Sequence, residues 1–185
     1  MIWRLTERKD WDSLVQQFSW VRDMDLVPQH ALHHAEGSVA VHTRMVLEAL
    51  QQQPSYLRLA EQDREILWAA ALLHDVETRS TSVDEGNGQS TSKNHAKRGE
   101  ATVRTLLYRD ISTPFGIREH IASLVRHHGL PIWLMEREDP LKRACEASLR
   151  LATSLLKQLA VADICGRICT DREILLEATD LFEMF

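Results

Sequence analysis

The chain is short of the residues that mark most specialised protein classes. Cysteine occurs three times in 185 residues, at Cys145, Cys165 and Cys169. So sparse and odd a set excludes a disulfide scaffold and suits a reduced, cytoplasmic setting. Cys165 and Cys169 can share a helix face, but without a second pair nearby they read as small core residues rather than metal ligands. Seven glycines and five prolines exclude collagen-like and low-complexity chains. No apolar run is long enough to cross a bilayer, and the opening MIWRLTERKDWDS places charges where a secretory apolar core would lie. Basic residues are not in excess. The formal net charge of −5 argues against a broad nucleic-acid surface, yet not against a phosphorylated substrate, because bound divalent ions dominate the field within a site. The Gly-rich P-loop signature of kinases is missing, as are internal repeats and interdomain linkers.

What remains is an ordinary globular composition, 44% hydrophobic and 26% charged, and apolar residues at helical spacing. Trp11, Leu14, Val15 and Phe18 predict a helix over 10–20. Ser38 can cap a helix running to about Gln52, stopped by Pro54. Further helices are predicted over 63–74, 95–108, 115–127, 141–165 and 171–185. Val76 to Asn94, rich in Ser, Thr, Gly and Asn, reads as a long mobile loop of the kind that serves as a lid or binding loop. The expectation is a single all-α domain over residues 1–185. Its LFEMF terminus offers an apolar surface on which an oligomer contact can form.

Nine histidines is a high count, and their placement is informative. His42 lies mid-helix in register with Met45, Val46 and Ala49. His74 ends an apolar helix and is followed at once by Asp75. Asp163 continues the Leu151, Leu155, Leu159 stripe, so its carboxylate points inward. Buried carboxylates and imidazoles are unfavourable unless paired or bound to metal. One such histidine is more often a hydrogen-bonded core residue; the ordered set favours a metal. Imidazole with carboxylate suits Mn, Fe, Co, Ni or Zn rather than Ca.

The order His42, His74-Asp75, Asp163 on helices resembles the HD superfamily of metal-dependent phosphohydrolases. Three neighbourhoods carry the likeness: HHAEGSVAVHTRMV (33–46), AALLHD (70–75) and ADICGR (162–167). They are similar to the HD domain of bacterial CCA-adding tRNA nucleotidyltransferases, which acts on 2′-phosphates and 2′,3′-cyclic phosphates. LVRHHGLP (124–131) also resembles the HD module found with a polynucleotide kinase in RNA-repair proteins. The resemblance implies an all-α fold and one or two divalent ions, with Mg as a further candidate. It places the first ion on His42, His74, Asp75 and Asp163. A second would take His95 with His127 or His128, of which His128 is favoured. Asp75 would bridge, and a water activated by the ions would attack phosphorus. The Lys that many relatives carry after the HD doublet is absent, and Arg79, Lys93 or Lys97 would replace it on the substrate. His33, His34 and Glu36 would border the pocket, Glu36 anchoring a metal-bound water or His34, or else serving only the helix start. Arg167 would contact phosphate or ribose, or pair with Asp163.

These implications favour a phosphomonoesterase or cyclic phosphodiesterase acting on nucleotides or RNA ends. The alternatives are a 5′-nucleotidase or nucleoside triphosphate hydrolase of the same type, and a non-catalytic subunit that partners a polynucleotide kinase on a separate chain.

Overall fold

In the computed structural model, residues 1–28, 35–86 and 89–185 are described, with the backbone alone at 84–86 and 89–91. Among the described residues the regular elements are helices apart from one short hairpin. Helices α1 (Trp11–Gln17) and α2 (Ser19–Asp23) lead through a 3-10 turn (Met24–Leu26) to α3 (Val39–Gln52) and α4 (Pro54–Leu57). Then come α5 (Glu61–Leu73) and α6 (Thr78–Thr81), the strands β1 (Ser82–Gly86) and β2 (Gln89–Ser92), and the helices α7 (His95–Arg109) and α8 (Phe115–His127). After α9 (Leu130–Trp133) and a second 3-10 turn (Leu134–Glu136) the fold closes with α10 (Pro140–Ser148), α11 (Thr153–Cys165) and α12 (Arg172–Phe182).

The ends of these helices follow local chemistry. The Asp10 carboxylate accepts from Ser13 N, the Ser38 hydroxyl from Val41 N, and the Asp139 carboxylate from Lys142 N, each satisfying an amide that the first turn leaves unpaired. Pro54 and Pro140 stand in first turns, where no amide is needed.

α5 is the axis of the bundle. From Glu65 to Leu73 every residue is buried, as expected of a helix that is apolar on all sides. α3, α8 and α11 pack around it, α7 lies on α8, and α12 lies on α9 and α11. Ala69, Ala70 and Ala71, all fully buried, let those neighbours approach closely. Leu124 of α8 is also fully buried in this core. Leu124→Ala is expected to lower stability by about 2–5 kcal/mol, the transfer term plus an unfilled cavity, read as a lower urea midpoint at unchanged m.

Three stretches depart from expectation. The predicted helix over 10–20 is broken at Phe18, whose backbone is extended and whose ring stacks on Trp20 with centroids 5.1 Å apart. The helix expected over 141–165 breaks between α10 and α11, where Ala152 is extended and its amide donates to His120 Nε2 at 3.4 Å. Buried Ala144, Ala147, Leu151 and Leu155 keep helical spacing across the break, so the apolar pattern gave no sign of it. The expected long loop over 76–94 instead holds α6 and an antiparallel hairpin, with Ser82 opposite Ser92 and Val83 opposite Thr91. Its strands are largely polar, so no alternation of apolar residues marked them; the Asn-Gly dipeptide at 87–88 was the available hairpin signal.

Candidate metal centre

The bundle gathers chemistry at the end of its axis. α5 stops at Leu73, and His74 and Asp75 follow in the turn. α3 brings His42, α11 brings Asp163, α7 opens on His95, and His128 is the C-cap of α8. Five of these six side chains are buried, and His95, 29% exposed, forms the open side. Two triads result, His42 with His74 and Asp163, and Asp75 with His95 and His128. In each, ligand-type atoms lie within 4.8 Å of one another.

The ring nitrogens are arranged in one sense. His74 Nδ1 donates to Ala71 O (2.7 Å), His95 Nδ1 to Ser92 O (2.8 Å) and His128 Nδ1 to Val125 O (2.9 Å), always a carbonyl three residues back. His42 Nδ1 faces Glu36 Oε1 at 2.9 Å, with Gly166 O at 3.3 Å. Each Nδ1 therefore carries the proton and each Nε2 presents a lone pair. These lone pairs converge: His42 Nε2 is 3.2 Å from His74 Nε2, and His95 Nε2 is 3.2 Å from His128 Nε2. Two facing lone pairs repel unless a cation lies between them.

A proton or a metal ion can fill that place, and the two triads differ in which they favour. Burial pulls the His42 imidazole down, but the Asp163 and Glu36 carboxylates outweigh it and raise it to about 9. His128 is pushed down to about 4 by burial and by the imidazoles of His95 and His74, so no proton settles there at neutral pH. Burial would raise both aspartates. For Asp75 the surrounding imidazoles reverse this, and for Asp163 Arg167 and His42 do, holding both carboxyls below the usual range. The carboxylates of Glu36, Asp75 and Asp163 are buried close to these rings, with the Arg167 guanidinium on Asp163, and buried carboxylates beside imidazoles suit divalent cations. The donor set therefore fits metal ions, with two carboxylates and four imidazoles whose Nε2 atoms converge.

Asp75 reaches both triads. Its Oδ2 is 3.6 Å from His74 Nε2 and its Oδ1 is 3.4 Å from His95 Nε2. Asp163 Oδ1 lies 3.2 Å from His42 Nε2, and Arg167 grips the same carboxylate with Nε–Oδ1 at 3.0 Å and Nη2–Oδ2 at 2.5 Å.

Other residues singled out in the sequence are placed differently. His127, one turn position from His128, donates Nδ1 to Ser123 O at 2.9 Å and joins neither triad. The α-helical rotation of about 100° per residue separates the two rings. His127→Ala is accordingly expected to keep the wild-type metal content and His128→Ala to lose an ion, measured by elemental analysis after dialysis. Arg79 is engaged by Asp23 at 2.6 Å on the exposed surface rather than at the triads. Lys93 and Lys97 are exposed on either side of His95. Glu36 does not simply border a pocket: its side chain is fully buried against His42. His33 and His34 lie outside the described residues. Sequence reading missed Gly166, whose carbonyl faces His42, and the three carbonyls that orient the other rings; main-chain acceptors leave no mark in residue type.

Fold and site together define a class, an all-α domain that closes a histidine–aspartate centre fit for divalent ions. The HD domain family matches residues 39–168, which is most of the chain and takes in all six centre residues. The chain belongs to this family, which consists in general of metal-dependent hydrolases. Comparison with curated proteins finds no match. No helix of the described residues is long and apolar enough to cross a membrane.

Proposed function

We propose that the protein is a metal-dependent phosphomonoesterase or cyclic phosphodiesterase acting on nucleotides or RNA ends, with 2′,3′-cyclic and 2′-phosphates preferred. The observation that carries the hydrolytic reading is the convergence of four Nε2 lone pairs and two carboxylates at the end of α5. The preference for RNA ends is supported by the likeness of HHAEGSVAVHTRMV, AALLHD and ADICGR to the HD domain of CCA-adding enzymes.

Two divalent ions held by the triads would supply an activated water and neutralise charge on a phosphoryl group. His42, His74 and Asp163 would hold one, and His95 with His128 the other, while Asp75 reaches both. Carbonyls of the chain keep the rings of His74, His95 and His128 turned inward, so the ligands need little reorganisation. Arg167 orients Asp163 and offsets part of its charge. Substrate enters from the side of His95, where Lys93 and Lys97 are exposed to meet its phosphates. A separate polynucleotide kinase chain is the partner that the RNA-repair likeness suggests, and co-purification tests it.

The decisive assay uses protein stripped of metal and reloaded with Mn, Ni, Co or Mg, supplied with 2′,3′-cyclic AMP, 2′-AMP, 3′-AMP, 5′-AMP and a deoxynucleoside triphosphate. Metal-dependent turnover of the cyclic and 2′ substrates is the expected result. Turnover of 5′ substrates alone would move the protein to nucleotide metabolism, and no turnover with metal bound would sink the small-nucleotide reading.

A further inference from the structure

Four imidazoles face the centre, but their support is not alike. Three donate Nδ1 to a carbonyl of their own helix or turn. His42 alone places Nδ1 against a carboxylate, Glu36 Oε1 at 2.9 Å, and both side chains are fully buried. The second oxygen of that carboxylate, Oε2, accepts from Ile168 N at 3.0 Å, and one residue earlier Ala35 N donates to Ile168 O at 3.2 Å. Residues 35 and 36 thus clasp residue 168. The clasp joins the entry to α3, which carries His42, to the exit from α11, which carries Asp163. Glu36 lies outside the segment that the HD domain matches.

The charge balance gives this contact a purpose. Asp163 shares both its oxygens with Arg167, which offsets part of the negative charge that it brings to the first triad. A carboxylate on the far side of His42 adds to it through the ring, because hydrogen bonding to an anion makes the opposite nitrogen a stronger donor. In the second triad the rings are held differently, His95 Nδ1 by Ser92 O and His128 Nδ1 by Val125 O, so the carboxylate support is specific to the first.

We infer that Glu36 is a positioning residue that selectively supports the first metal site, by holding His42 in its Nδ1–H form and raising the basicity of its Nε2. This rests on the reading of the centre as a divalent-metal site. An amide cannot replace the carboxylate, because it can accept at only one end. Glu36→Gln either donates to His42, which turns the ring's proton onto Nε2, or sets an NH2 against Ile168 N–H.

The experiment titrates metal-free wild type and Glu36→Gln with zinc, following affinity by chelator competition and site occupancy by the ring ¹⁵N resonances of each histidine. The expected result is a loss of about 10–100-fold in affinity at His42 and His74, with the His95 and His128 site unchanged. In zinc-loaded wild type, the Nδ1 proton of His42 should resonate downfield of the other three; this needs no variant and holds even if Glu36→Gln fails to fold. Equal weakening of both sites would make Glu36 a general fold element and overturn the inference. So would a variant that keeps both affinities and loses only kcat, which would place Glu36 on the reacting atoms, and so would a His42 proton that resonates with the others. Wild type that binds no zinc would overturn the metal reading itself, and the inference with it.

Discussion

Asp75→Ala is expected to fold, to bind fewer ions and to lose metal-dependent phosphate release by at least about a hundredfold, the scale on which a centre loses activity with a charged contributor. The reason is geometric. Asp75 is the carboxylate whose two oxygens reach both triads, Oδ2 toward His74 and Oδ1 toward His95, at 3.6 and 3.4 Å. Removing it takes a donor from the second triad and the link from both, whereas removing any imidazole takes a donor from one. Asp75→Asn sharpens the test. It keeps the shape but turns an NH2 toward one of the two Nε2 lone pairs, competing with the cation for the nitrogen. Elemental analysis, phosphate release from 2′,3′-cyclic AMP, and a circular-dichroism melt would be run on the same preparations. A variant that folds, binds fewer ions and still turns over at the wild-type rate would end the proposed mechanism.

A loss of stability on the scale of Leu124→Ala is expected from Gly166→Ala. This glycine has an ordinary right-handed backbone at the end of α11, so conformational freedom does not explain it. Space does. A Cβ there would sit 2.5 Å from Val46 Cγ2, 2.7 Å from Val46 N and 2.9 Å from Val46 Cα, and two of those three atoms belong to the backbone of α3. No rotamer change relieves a clash with backbone, so α3 and α11 must separate. Destabilisation of about 3 kcal/mol is expected, at the upper end of overpacking effects. That corresponds to a fall in Tm of roughly 10 °C for a chain of this size. His42 and Asp163 lie on those two helices, so zinc affinity should fall with stability. Gly116→Ala is the control. In α8 nothing lies within 4 Å of its added Cβ, and a gain of up to about 1 kcal/mol is expected from helix propensity.

Parts of this protein are readable directly from its residues. Helical class follows from apolar spacing, because a helix that must bury one face repeats that face every three to four residues. The inward turn of Asp163 follows from the same rule. Leu151, Leu155 and Leu159 are buried, and Asp163, 1% exposed, continues their line. His74 lies at the end of a helix too apolar to be anywhere but the middle, so its burial and that of Asp75 were already implied. Ring partners and pairings were not. Periodicity does not tell whether Arg167 meets a phosphate or Asp163, or which carboxylate stands behind His42, because Glu36 is held there by Ile168, 132 residues away.

Periodicity within one element thus determined the all-α class, the inward faces and most of the residues of the centre. The tertiary structure alone decided the rest: Glu36 behind His42, the carbonyls that orient the other rings, and Gly166 where α11 meets α3. The physical reason is that spacing along a helix says which face is buried, while the distance between two faces exists only after the helices have packed.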